Sequence, residues 1–388
     1  MNGTLVKVAD IAELITKGTT PTTLGYEFQD KGVNFLKIEC FDEKGNYISD
    51  KVAHISEECN DKLKRSQLKE GDVLFSIAGA IGRVTIVTRE MLPANTNQAL
   101  AIIRIQDENV HLPYIKLILT SSIVKEQIER KKQGVAQLNL SLKDIGEIAI
   151  PMPALEKQKE FVRLFGRIEC IINNRKQELE ALDNLIKSRF VEMFGDMNLN
   201  PNKWETTLLG QVCDVRDGTH DSPKYFTEGY PLVTSKNVTS GKINFTDCSL
   251  ISEEDYNKIN ERSKVDFGDI LMPMIGTVGK PVIVDVDAEF AIKNVALIKF
   301  YEDSKVTNIL VKALLQSDYF DRVVLSKLRG GTQKFISLGD IRRLEICLPP
   351  MEVQKQFATF MAQVDKLKFW NRKNYRYTIY KGVNGVGN

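Results

Sequence analysis

Lys69–Val87 reads KEGDVLFSIAGAIGRVTIV, and Asp266–Val284 reads DFGDILMPMIGTVGKPVIV. They are one pattern written twice. Gly71-Asp72 pairs with Gly268-Asp269, Gly79 with Gly276 and Gly82 with Gly279, at a spacing of about 197 residues. Outward from this core, Asn97 with Ala99-Leu100 matches Asn294 with Ala296-Leu297 at the same spacing. Gln137, Ser141-Leu142, Asp144-Ile145 and Ile150 then recur as Gln333, Ser337-Leu338, Asp340-Ile341 and Ile346. Pro153, Glu156, Gln158-Lys159 and Phe161 recur as Pro349, Glu352, Gln354-Lys355 and Phe357. Chance does not produce so many collinear matches, so two copies of one unit are present.

Each copy begins with a mixed region of short strands and glycine turns and ends at a proline boundary, Pro151-Met152-Pro153 or Pro349-Pro350. Proline is tolerated at a helix start, where the first N–H groups have no intrahelical partner. From Ala154 to about Gly195 there is no proline and only Gly166 interrupts. Phe165, Ile172, Leu179, Ile186 and Met193 recur every seven residues, the signature of a helix packed along another helix. In the second copy Phe357, Met361, Val364 and Leu367 start the same helix, and the apolar pattern then stops. The tail Asn371–Asn388 (NRKNYRYTIYKGVNGVGN) is polar and aromatic, which predicts a second helix about half as long as the first. The predicted fold is α+β: two similar mixed α/β domains in a pseudo-two-fold arrangement, joined by long antiparallel coiled-coil helices. The divisions are a first domain over 1–153, a long helix over 154–198, a second domain over 199–350, a shortened helix over 351–370 and an atypical tail over 371–388.

Composition narrows the function. Hydrophobic residues at 43% and charged residues at 27% describe ordinary globular material. No run approaches the roughly 18 apolar residues of a membrane helix, and no leader pattern opens the chain, so a cytoplasmic location is expected. The six cysteines form no C-x-x-C pair and none stands at metal-ligand spacing from a histidine, so buried reduced thiols are expected rather than zinc or disulfides. A net charge of +2 argues against a stand-alone, high-affinity DNA binder, which is usually strongly basic. It is compatible with local basic loops and partners that grip the backbone.

The paired segments GDVLFSIAGAIGR and GDILMPMIGTVGK, with the unit endings QLNLSLKDIGEIAIPMPALEKQKEF and QKFISLGDIRRLEICLPPMEVQKQF, resemble the specificity subunit of type I restriction-modification systems. The resemblance covers residues 1 to about 367. It implies two target-recognition domains, each reading one part of a bipartite, asymmetric site in double-stranded DNA. It also implies helices that set the gap and dock two methyltransferase subunits, with restriction/translocase subunits completing the complex. Catalysis and its cofactors (S-adenosylmethionine, ATP and Mg) then belong to the partners, and none is expected on this chain. Accordingly the sequence has no N-P-P-[YF] motif and no G-x-x-x-x-G-K-[ST] loop.

Base reading needs paired donors and acceptors, and phosphate gripping needs cations, hydroxyls and exposed N–H groups. Four segments per copy offer them. The first is Lys17-Gly18-Thr19-Thr20, answered by Asp217-Gly218-Thr219-His220. The second is Ser76–Arg83, answered by Met274–Lys280, where two glycines precede a cation, Arg83 or Lys280. The third is Asn95, Thr96, Asn97 and Gln98, answered by Lys293 and Asn294. The fourth is the segment ending at Gln137, answered by Arg329–Lys334 with Thr332, Gln333 and Lys334. Lys37 and Lys236-Asn237 are secondary candidates. Asp72 and Asp269 follow glycine at matched turns and read as turn stabilisers rather than catalytic acids. Two other classes compete: a single-chain restriction enzyme, which the missing motifs oppose, and a scaffold that holds proteins rather than DNA.

Overall fold

A computed structural model describes residues 4–132, 139–238, 241–274, 280–327 and 335–384. The chain forms two compact units, Met1–Asn173 with Thr378–Asn388, and Asn174–Tyr377.

Unit 1 contains β1 (Leu5–Lys7), β2 (Leu14–Lys17), β3 (Val33–Leu36), β4 (Ala53–Ile55), β5 (Val73–Ser76), β6 (Val84–Ile86), β7 (Ala94–Thr96), β8 (Leu100–Arg104) and β9 (Ala149–Pro151). They form a sheet β2-β8-β5-β6, a sheet β4-β3-β7 and the pair β1-β9. Unit 2 contains β10 (Thr206–Leu208), β11 (Cys213–Asp217), β12 (Tyr230–Val233), β13 (Ser249–Ile251), β14 (Ile270–Pro273), β15 (Val282–Ile283), β16 (Ala291–Ile292), β17 (Val295–Phe300) and β18 (Glu345–Cys347). Its sheets are β11-β17-β14-β15, β13-β12-β16 and β10-β18, the same plan strand for strand. Among the described residues the parallel strand pairings, β3 with β7 and β12 with β16, also recur.

The strand ladders correct one of the sequence matches. Ala101 lies opposite Phe75, and Ala296 lies opposite Met272. Because Phe75 and Met272 are equivalent, Ala101 corresponds to Ala296, and the match of Ala99-Leu100 with Ala296-Leu297 is displaced by two residues. The reason is local. Three residues join β7 to β8 and only two join β16 to β17, and the stretch from the start of β5 to the end of β7 is already one residue longer than that from the start of β14 to the end of β16. The true counterparts of Asn97 and Gln98 are Lys293 and Asn294.

The repeated motifs have mechanical roles. Gly71 and Gly268 adopt φ of 86° and 89°, a region that favours glycine. Asp72 then takes two bonds from Arg104, at 2.7 and 2.6 Å, and one from the Lys69 N–H. Asp269 accepts from Lys299 at 2.7 Å and from the Asp266 N–H. Both aspartates are buried turn supports. Ser141 and Ser337 cap short helices, each accepting at 3.1 Å from the N–H of Asp144 or Asp340, whose carboxylate returns the bond.

The first long helix, Leu155–Phe194, has 40 residues, and the second, Met351–Asn384, has 34. The expectation of a halved second helix is therefore corrected. Nothing between Pro350 and Gly382 breaks a helix. What stops at Leu367 is only the apolar pattern. Leu367 is itself 56% exposed, and the buried seam passes instead through Val364, Lys368 and Asn371. Phe165 is likewise 42% exposed, so it is not a seam residue, whereas Ile172, Leu179, Ile186 and Met193 are half-buried at the expected seven-residue interval. Within unit 2 the rings of Phe190 and Phe194 approach Phe357 at 5.8 and 5.2 Å. Burying one such ring stabilises by about 1.5–3 kcal/mol. Four cysteines are buried as expected, but Cys170 is exposed and Cys248 half-buried.

Each long helix is fastened to its unit by a buried glutamine. Gln158 Oε1 accepts from the His111 N–H at 2.8 Å, and its Nε2 donates to the Asn109 and Pro153 carbonyls at 3.0 and 2.8 Å. Gln354 Oε1 accepts from the Thr307 N–H at 2.8 Å, and its Nε2 donates to the Lys305 and Pro349 carbonyls at 2.9 and 2.8 Å. Each is 1% exposed. Replacing Gln354 with leucine strands three backbone groups, and the expected loss is about 2–4 kcal/mol. The check is urea unfolding of Gln354→Leu, with the isosteric Gln354→Glu as a second variant. An unchanged midpoint for Gln354→Leu would refute the clamp.

Candidate nucleic-acid interface

In each unit the first and third candidate segments come together. Gly18 and Gly218 make this possible, because a Cβ there would lie 1.7 Å from the Thr96 carbonyl oxygen or 2.1 Å from that of Ile292. The Gly18 N–H donates to the Asn97 carbonyl, and the Gly218 N–H to the Val295 carbonyl, each at 3.2 Å. Two residues further on, side chains join the loops. The Thr20 hydroxyl donates to Gln98 Oε1 at 2.5 Å. His220 Nδ1 lies 2.8 Å from Asn294 Oδ1. These two bridges occupy equivalent places.

Their chemistry differs. Lys17 stands opposite Ala101, and its counterpart opposite Ala296 is Asp217. Asp217 gathers His220 Nε2 at 2.8 Å and the Arg262 guanidinium, which comes from the helix Glu253–Ser263. Arg216 donates to the Arg262 carbonyl at 2.9 Å and pairs with Asp214. Lys293 Nζ donates to Ser222 Oγ at 2.5 Å, and Thr219 Oγ1 accepts from the Asp221 N–H. Unit 1 offers a lysine, hydroxyls and an amide at this place, and unit 2 offers a histidine, a lysine and an amide around a carboxylate. An amide whose oxygen is already held keeps its two N–H groups for another acceptor. Those are donors suited to purine N7 and O6, thymine O4 or phosphate oxygen.

Other candidates are placed differently. Asn95 is fully buried, donating to Asn60 Oδ1 at 2.9 Å and to the Leu63 carbonyl at 3.2 Å. It supports the fold and reaches no ligand. Asn237 is 6% exposed, with its Oδ1 on Thr234 and its Nδ2 on the Asn244 carbonyl, and the same correction applies. Arg83 turns inward, its Nη1 donating to the Ile38 and Phe41 carbonyls at 3.2 and 2.6 Å, so it braces unit 1. Gly79 and Gly82 do form an exposed turn at φ of 70° and 87° with open space beside them. Lys37 lies 4.3 Å above the Phe28 ring, half-buried. Thr19 is half-buried, and Lys236 and Lys280 are exposed. Gln137, Arg329, Thr332, Gln333 and Lys334 lie outside the described residues. Sequence reasoning missed Arg262 and Ser222, since only folding brings them beside His220 and Lys293. Among the described residues no group of histidine, cysteine, aspartate or glutamate side chains is arranged to hold a metal.

A duplicated mixed α/β unit, each copy leading into a long helix and presenting a different polar loop cluster on the same scaffold, defines a modular reader. The family model of the type I restriction modification DNA specificity domain matches residues 4–181 and again 201–375, and the chain belongs to that family. It is 23% identical over 388 residues to the type I restriction enzyme MjaVIII specificity subunit of Methanocaldococcus jannaschii, covering 95% of this chain and 87% of that one. It is 30% identical over 169 residues to the EcoBI specificity subunit of Escherichia coli, covering 42% of this chain and 35% of that one. Among solved structures it is similar to a chain from a study of assembly and conformational transition in the type I system. That match has TM-score 0.64 and 18% identity, with 98% and 96% of the two chains covered. The S subunit from M. genitalium matches at TM-score 0.53 and 13% identity, with 99% and 95% covered. The class is a specificity component and not a catalytic one.

The Asn294 carbonyl first, and the Asp217 carboxylate second, hold the His220 pKa above its ordinary value, while desolvation and Arg262 oppose them. The folded state therefore favours the imidazolium. Its contribution is fully present below the ordinary histidine pKa near 6.5 and is lost as pH rises through the higher folded value. A ring-proton NMR titration is expected to show the His220 midpoint above that value and to show it fall in Asn294→Gly, where glycine tolerates the φ of 54°. An unshifted midpoint in Asn294→Gly would remove Asn294 as the main cause.

Proposed function

We propose that this chain reads a bipartite, asymmetric DNA target and directs adenine methylation and restriction by partner subunits. Recognition lies in residues 1–153 and 199–350, and the long helices act as spacers that dock two methyltransferase subunits, with restriction/translocase subunits completing the complex. S-adenosylmethionine, ATP and Mg serve those partners, and the assembly works on DNA in the cytoplasm. Among the described residues no helix is long and apolar enough to cross a membrane.

One observation carries this reading. The same scaffold brings different side chains to the same place, Lys17, Thr20 and Gln98 in one unit and Asp217, His220, Lys293 and Asn294 in the other. Different donors and acceptors at matched polar tips suit two different ligands more readily than one shared protein surface. Two different tips suit two different half-sites, as symmetry-related readers suit repeated ones. The near-neutral net charge fits a reader whose partners share the grip on phosphates.

Single-molecule sequencing of methylated bases in host DNA, with the gene intact and deleted, tests the reading. One split, asymmetric adenine motif should vanish on deletion, and an unchanged methylome would overturn it. Lys293→Ala is expected to relax or abolish one part of the motif only, at a cost of about 1–3 kcal/mol in binding. Arg329→Ala and Lys334→Ala carry the same expectation. Equal loss of both parts would instead assign these cations a general electrostatic role.

A further inference from the structure

The buried positions on the second long helix, taken with half-buried Lys368, follow a three-four spacing, Gln354, Phe357, Met361, Val364, Lys368 and Asn371. The last two are polar. Lys368 Nζ donates to Asp183 at 2.5 Å, with only 14% of its side chain exposed. Asn371 Nδ2 donates to Glu178 Oε2 at 2.5 Å, the same oxygen that takes Arg175 at 2.5 Å. Read with Phe357 against Phe190, these contacts run antiparallel, since partners on the first helix fall as numbers on the second rise.

We propose that Lys368 and Asn371 are positioning residues that lock the register of the second long helix on the first. Apolar packing cannot do this beyond Val364, because no apolar residue occupies the next two seam positions. Polar partners can, because each fits only one place. Pairing this stretch one heptad out of place would set Lys368 against Lys176 or Phe190, and Asn371 against Ile171 or Leu185. Every alternative leaves a buried charge or amide facing a like charge or hydrocarbon. A single polar seam residue is known to fix register in this way while lowering stability. The sign of that cost is visible here, since Asn371 Oδ1 is buried without a hydrogen-bond partner. The inference stands on the geometry of unit 2 alone. On the reading proposed above, one register means one separation between the two parts of the target.

Spin labels at Ala181→Cys and Lys366→Cys, both exposed positions, report the register in the full chain carrying Cys170→Ser and Cys248→Ser. The parent should give one narrow distance distribution. Lys368→Met with Asn371→Leu should raise the melting midpoint by about 2–6 °C. It should also add a second, broader population in which the helix beyond Val364 stands away from the first, since the Gln354 clamp and the Phe357 contacts still hold its start. Lys368→Asp alone should broaden the distribution, and adding Asp183→Lys should restore the single distance. A single unshifted distance in the double variant, whatever its melting point, would overturn the lock, as would failure of the charge swap to restore what Lys368→Asp broadens.

Discussion

The junction between each globular unit and its long helix depends on a buried amide. A glutamine four residues into the helical segment has one acceptor and two donor hydrogens, and both Gln158 and Gln354 use all three on backbone groups of the unit they leave. No other side chain of that length offers both functions in one plane. An apolar residue would fill the space and strand the backbone, and a charged one would be costly to bury. The direction in which each helix departs is therefore set by this hydrogen-bond geometry together with the packing of Phe161 or Phe357 on the same unit, and everything further along the helix inherits it.

Much of the architecture was legible because duplication supplies its own control. Glycine at Gly71 and Gly268, the caps at Ser141 and Ser337 and the clamps at Gln158 and Gln354 each appear twice, and a residue type that recurs in register has a mechanical reason to be there. Two things were hidden. Two single-residue deletions in the second copy, one before Ile292 and one in the loop before β17, let Asn97 and Ala99 imitate Asn294 and Ala296, and only the strand ladder shows the slip. The second helix vanished from view where Lys368 and Asn371 replaced leucine-like residues, because an apolar periodicity cannot register a seam made of ions and amides.

Residue type also misled at individual positions. Asparagine, arginine and lysine suit nucleic acid, yet the same donors suit an unpaired carbonyl inside the fold. Asn95, Asn237 and Arg83 went to that use. Burial separates Asn95 and Asn237 from Gln98 and Asn294, and Arg83 differs in that its guanidinium is taken by the Ile38 and Phe41 carbonyls. The glycine that admits the loop contact was the better signal, since Gly18 and Gly218 mark the place where two backbones touch whatever the neighbouring side chains are.

In both units the first strand lies beside the last, Leu5 opposite Pro151 and Thr206 opposite Cys347. The polypeptide thus enters and leaves each unit at one place, next to the proline step into the long helix. A gene rearrangement with breakpoints at these two positions would exchange one whole module without cutting any strand pair or core cluster of the other. New combinations of readers can arise in single events, the retained helices supplying Phe190, Phe194 and Phe357 to the incoming core.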